Sequence, residues 1–96
     1  MEIKKIGRAG TVESNDISIV IEPSDKKDIE VELQSAVLKQ FGRHIKALII
    51  DTLQSKGVKS AYVKAVDKGA IDCVIKARTL TALYRAAESE EYVWEE

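Results

Sequence analysis

Between residues 17 and 34 the chain alternates twice. Ile17, Ile19 and Ile21 are separated by Ser18 and Val20 and followed by Glu22, the period-two pattern of a half-buried strand. Glu22-Pro23-Ser24-Asp25-Lys26-Lys27 breaks it. Ile29, Val31 and Leu33 then alternate with Glu30, Glu32 and Gln34, so strands near 17–22 and 28–34 are expected to pair as an antiparallel hairpin with an acidic solvent face. From about 36 to 56 the spacing lengthens. Val37, Leu38, Phe41, Ile45, Leu48, Ile49 and Leu53 recur at helical intervals behind Ser35, a good N-cap residue, and Gly57 stands where a helix ends. Each large side chain of that stripe contributes about 1.5 to 3 kcal/mol when fully buried.

The second half predicts a strand over 58–66, a turn at Asp67-Lys68-Gly69-Ala70 and a return strand over 71–76, with Ile71, Cys73 and Ile75 on one face. Ile71, Val74, Ile75 and Arg78 equally suit the start of one longer helix, and short apolar runs do not separate the two readings. Leu80, Leu83, Tyr84 and Ala87 share a helical face from about 78 to 89. The expected fold class is α+β: a two-layer sandwich of an antiparallel sheet of about four strands, with two helices on one face in ββαββα order. One domain spans 1–96. Residues 1–8, which have few structure signals, and the acidic, aromatic stretch 89–96 are expected to be mobile tails.

Composition narrows the function. Fifteen basic residues against 16 acidic ones leave a net charge of −1, which argues against nucleic acid or an anionic membrane as the main partner. No apolar run is long enough to span a bilayer, no secretory signal is visible, and the single cysteine cannot form an internal disulfide, so a cytoplasmic protein is expected.

Few residues carry candidate chemistry. His44, the only histidine, falls at the edge of the apolar stripe near Gln40 and Asp51 and reads as a boundary residue. Cys73, on the expected strand 71–76, reads as a buried, inert thiol. One histidine and one cysteine on separate elements make no zinc set, and no phosphate loop or nucleophile elbow is present, so no catalytic residue and no metal site are expected. Lys39, Arg43, Lys46 and Ile50 form a strip facing away from the core: a solvated face, or a dock for an acidic partner subunit. Tyr92 and Trp94 in the tail offer a second docking possibility. Ser14 lies where Asn15 and Asp16 bend the chain, and by local chemistry alone it is a turn serine.

The run Ala9-Gly10-Thr11-Val12-Glu13-Ser14-Asn15-Asp16 resembles the modification segment of the citrate lyase acyl carrier proteins. Glu22-Pro23, Asp28-Ile29-Glu30-Val31, Lys39-Gln40-Phe41-Gly42 and the stretch from Asp67 to Arg78 follow in that family's order and spacing, so the resemblance covers about 9–87. It implies that Ser14 is the cofactor-binding residue, joined by a phosphodiester to 2'-(5''-phosphoribosyl)-3'-dephospho-CoA. The protein would then be a non-catalytic carrier, unlike the helical-bundle acyl carriers in fold. It would present acetyl and citryl thioesters to an alpha (acyl transferase) subunit and a beta (citryl lyase) subunit, after a prosthetic-group transferase has acted. Two alternatives stay open: a carrier of malonate decarboxylase, against which Asp67-Lys68-Gly69-Ala70 and Asp72-Cys73 weigh, and an interaction module with an unmodified Ser14. The carboxylates of Glu13 and Asp16 are expected to repel the anionic arm.

Overall fold

Ile17, Ile19 and Ile21 are wholly buried, and the strand that carries them pairs along its whole length with a strand more than forty residues later in the chain. In the computed structural model, which describes residues 1–88, the elements are β1 (Gly7–Ala9), β2 (Ile17–Glu22), β3 (Ile29–Ser35), α1 (Leu38–Ser55), β4 (Ala61–Asp67) and α2 (Asp72–Ala86). The sheet order is β1-β2-β4-β3. β1 and β4 both run antiparallel to β2, while β3 runs parallel to β4, from Ile29 opposite Ala61 to Ser35 opposite Asp67. Both helices pack on the sheet and against each other. The α+β, two-layer, four-stranded architecture therefore matches expectation.

Pairing and order differ from it. The sheet is mixed rather than antiparallel, the order is βββαβα, and neither expected hairpin forms. Residues 72–76 belong to α2, with Ile71 as its N-cap: Ile75 is buried and Val74 packs against the core, whereas Cys73 between them and the turn is exposed. Three- and four-residue spacing won over alternation. With no strand following it, β4 inserts between β2 and β3 and hydrogen-bonds to both. Its direction relative to β3 follows from the connection, because a strand that returns through a long helix lands parallel to the strand it left.

The core lies between sheet and helices, where Ile17, Ile19, Ile21, Val63 and Ala65 meet Ile45, Ile49 and Leu53 of α1 and Ile75, Ala82 and Leu83 of α2. The opposite face of the sheet is polar and tied by Lys64 to Glu22 at 3.4 Å and by Tyr62 to Glu32. Residues ahead of β1 do not simply cross the surface: Ile3 is buried, and the N–H groups of Lys4 and Lys5 donate at 2.9 and 3.0 Å to the carbonyl of Ala86, an acceptor that the end of α2 leaves without an intrahelical partner. The 89–96 tail, with Tyr92 and Trp94, lies outside the described residues.

Helix α1 ends as expected. Gly57 adopts φ of +78°, its N–H donates to Gln54, and the Val58 N–H donates to Leu53 at 3.1 Å. That is a Schellman closure, with Val58 and Leu53 both buried in the core. The start differs from expectation. Ser35 closes β3 instead of capping the helix, donating its hydroxyl to the buried Asp67 at 3.0 Å while accepting the Val37 N–H. Asp67 in turn accepts the Ala70 N–H at 3.0 Å and so bends the chain from β4 into α2. At the start of α1, Val37, Leu38 and Phe41 are exposed although the sequence pattern assigns them to the core stripe. Among the described residues no helix is long and apolar enough to cross a membrane.

Candidate functional site

The segment between β1 and β2 is a bend held by side chains. Gly10 opens it at φ of +84°, in space where a Cβ would lie 1.8 Å from the carbonyl oxygen of Ile17, so no other residue fits. The Thr11 hydroxyl oxygen accepts the N–H of Glu13 at 3.2 Å, a local hydroxyl turn. The Glu13 carbonyl then accepts the Asp16 N–H at 3.2 Å, closing a four-residue turn with Ser14 and Asn15 at its corners. Asn15 takes the left-handed position at φ of +67°, which asparagine tolerates better than most residues. Ser14 points into solvent, and its hydroxyl has no hydrogen-bond partner among the described residues.

Two anchors fix the bend. Asn15 donates its N–H to the Lys68 carbonyl at 2.8 Å, and Lys68 donates back to the Asp16 carbonyl at 2.9 Å, so the β2–β4 ladder continues past the strands up to the residue after Ser14. On the other side, Arg78 of α2 grips the Asp16 carboxylate with Nε and a terminal nitrogen at 3.0 and 3.1 Å. The same carboxylate accepts the Thr11 hydroxyl and the Ile17 N–H, each at 2.7 Å. The Arg78 guanidinium above all, then the Thr11 hydroxyl and the Ile17 N–H, lower the Asp16 pKa from the ordinary 3.8 to about 2.

This geometry corrects one expectation. Asp16 is not a free charge beside Ser14, because its side chain is 13% exposed and neutralised by Arg78. Of the two acids that flank Ser14, only Glu13 is exposed and without a side-chain partner among the described residues. The sequence marks the bend at Ser14, Asn15 and Asp16 but not that Arg78 and Thr11 hold it. The one available signal for Arg78 was its place at the end of the last family-like motif.

The other candidates separate from this bend or change character. His44 is exposed, and its Nε2 lies 2.9 Å from both carboxylate oxygens of Asp72 on α2, not against its own-helix neighbours. Cys73 is exposed on the first turn of α2, so the expectation of a buried strand thiol is overturned by the helix. Lys39, Arg43 and Lys46 are exposed along α1. Among the described residues no group of three His, Cys, Asp or Glu could hold a metal ion. An apolar groove of about 290 Å³ runs between the first turns of α1 and the start of α2, with Phe41, Ile45, Ala70 and Ile75 in its walls.

Ser14 thus presents an exposed hydroxyl on a bend anchored to β4 and α2, and comparison with known proteins defines the class. The family model described as "Malonate decarboxylase delta subunit (MdcD)", an acyl carrier family, matches residues 4–86. A citrate lyase acyl carrier protein of Streptococcus equi subsp. zooepidemicus is 56% identical over 96 residues, covering 100% of this chain and 94% of the relative. One from Streptococcus mutans serotype c is 54% identical over the same coverage. In fold, the chain is similar to one in the crystal structure of a Pseudomonas malonate decarboxylase hetero-tetramer in complex with malonate, with a TM-score of 0.67, 20% identity, and 86% of this chain and 89% of that one covered. The chain belongs to the citrate lyase acyl carrier protein family.

Proposed function

We propose that this chain is the covalent carrier subunit of a citrate lyase, with Ser14 as the attachment point for 2'-(5''-phosphoribosyl)-3'-dephospho-CoA through a phosphodiester. The observation that carries the reading is the Ser14 hydroxyl itself: exposed, unpartnered, and set at the corner of a turn that β4 and Arg78 hold in place. Adding a phosphodiester there breaks no hydrogen bond and displaces no packed atom, so the residues present fit the group. When attached, that group supplies a thiol that carries acetyl and citryl units as thioesters between an alpha (acyl transferase) subunit and a beta (citryl lyase) subunit in the cytoplasm.

The chain's own residues do no bond chemistry in this reading. Gly10, Asn15 and the Asp16–Arg78 pair present Ser14 to the prosthetic-group transferase, and the sheet behind them keeps the anchor from yielding. Tethering raises the arm's effective concentration at the partner active sites to about millimolar, which replaces chance encounter by an intramolecular search.

The family model's description favours a second reading, a malonate decarboxylase carrier. The 54–56% identity to citrate lyase carriers against 20% to the malonate decarboxylase chain weighs for the first. The test is intact-mass and peptide mapping of the chain purified from its native complex or co-expressed with the modifying enzymes. One adduct on Ser14, and loss of complex turnover in Ser14→Ala, are expected. An adduct elsewhere, or full turnover by that variant, overturns the assignment. Turnover of citrate but not malonate by the reconstituted complex separates the two carriers, and an unmodified chain in an active complex leaves only the interaction module.

A further inference from the structure

We propose that the groove between the first turns of α1 and the start of α2 is a resting site for the thiol-bearing end of the group carried on Ser14. This rests on the carrier reading above. Three features argue for it. The groove is next to the anchor: Gly69 lines it, and the Asn15 side-chain oxygen lies 3.7 Å from where a Cβ on Gly69 would be, so its rim abuts the residue after Ser14. Two other depressions, one lined by Ser24, Gly57 and Ser60 and one by Lys27, Asp28 and Lys59, open at the opposite end of β4.

Its lining is also unusual for a free surface. Phe41 is 50% exposed and Val37 37%, around a floor made by the buried Ile45 and Ile75. At the mouth, His44 and Asp72 face each other across the gap at 2.9 Å. Methylene and methyl groups fit the Phe41 wall and the isoleucine floor, and an amide N–H of an arm finds an acceptor in the Asp72 carboxylate, whose oxygens keep lone pairs beyond the His44 contact. At about 290 Å³ the groove matches the lower end of small-molecule sites, a slender chain rather than a protein segment.

Affinity need not be high. With a tethered effective concentration of about millimolar, a site whose untethered Kd is about 1 mM is half occupied. The arm therefore divides its time between groove and solvent, which shields a thioester from water while leaving it available to the partner subunits.

The experiment uses isotope-labelled chain co-expressed with the modifying enzymes, with the adduct verified by intact mass, and reads isotope-filtered NOEs between protein and arm. Contacts from the Phe41 ring and the Ile75 methyls to arm methyl and methylene protons are expected. In Phe41→Ser the Ile75 contacts should fall by more than half, and the wild-type NOEs decide alone if that variant loses its fold. Added mass with arm contacts confined to Thr11–Ile17 and Lys68 overturns the groove and spares the carrier reading. A chain of unchanged mass overturns both. Perturbation of Phe41 only when partner subunits are added assigns the groove to a protein side chain and also overturns the proposal.

Discussion

Arg78 holds Asp16 in a two-pronged grip, at 3.0 and 3.1 Å, across 62 residues of sequence and two residues from Ser14. The fork geometry belongs to arginine alone, because a lysine ammonium offers one point of charge and no second parallel donor. The Ser14 bend is thus welded to α2 on one side and to β4 on the other.

Removing the grip should loosen the bend without unfolding the domain. In Arg78→Gln the amide of Asn15 should exchange faster and the 11–16 backbone should gain nanosecond motion by relaxation measurements, while the Leu83 and Ile49 amides keep their protection. The rate at which Ser14 is modified should fall, and Arg78→Lys should restore it only in part. Unchanged exchange at Asn15 would show that β4 suffices.

The same contact has a pH signature. The folded pKa of Asp16 is depressed to about 2 from 3.8, so the unfolded chain binds the proton more readily. The contribution to stability is complete above the unfolded value and disappears as pH falls from about 4 to about 2. Urea unfolding of the natural chain and of Asp16→Asn should therefore differ most near pH 6 and converge by about pH 2. A difference independent of pH would mean that the carboxylate's charge plays no part.

Gly10→Ala should be among the most damaging single substitutions in the loop. The added Cβ meets the Ile17 carbonyl at 1.8 Å at a backbone angle that side chains rarely adopt, so a loss of at least about 2 kcal/mol in denaturant unfolding is expected. A loss under about 0.5 kcal/mol would show that the bend relaxes freely.

Cys73 supplies a check on the helix that replaced the expected strand. Exposed on the first turn of α2, it should react with a thiol reagent in the native chain without the slow phase that unfolding imposes, and Cys73→Ser should change stability by no more than about 0.5 kcal/mol. Protection of the thiol until denaturant is added would restore the buried-strand reading.

Much of this architecture is written locally. The alternation at Ile17–Ile21 and the stripe from Ile45 to Leu53 name β2, α1 and the core they share, since period and burial report the same physics. Partner choice is not written there. A period-two pattern says which face of β3 is apolar and nothing about which strand lies beside it. The strand–helix–strand run from Ile29 to Asp67 did contain the clue, because a helical crossover favours a parallel return. At 71–78 a period of two fits Ile71, Cys73 and Ile75 while a helical period fits Ile71, Val74, Ile75 and Arg78, and packing against α1 and β2 decided between them. For the site, turn chemistry marks Ser14, Asn15 and Asp16 within six residues of Gly10, whereas the Asp16–Arg78 contact depends on the finished fold and has no local trace.

The hydrogen bonds that Lys68 exchanges with Asn15 and Asp16 carry a mechanical meaning. They graft the Ser14 bend onto the end of the central strand, which is flanked by neighbours on both edges. A tug on any cargo hung from that serine is borne as shear by the whole β2–β4 ladder, instead of peeling away one strand at a time. In the proposed carrier the pivot is the serine side chain itself, and everything behind it recoils as a single plate.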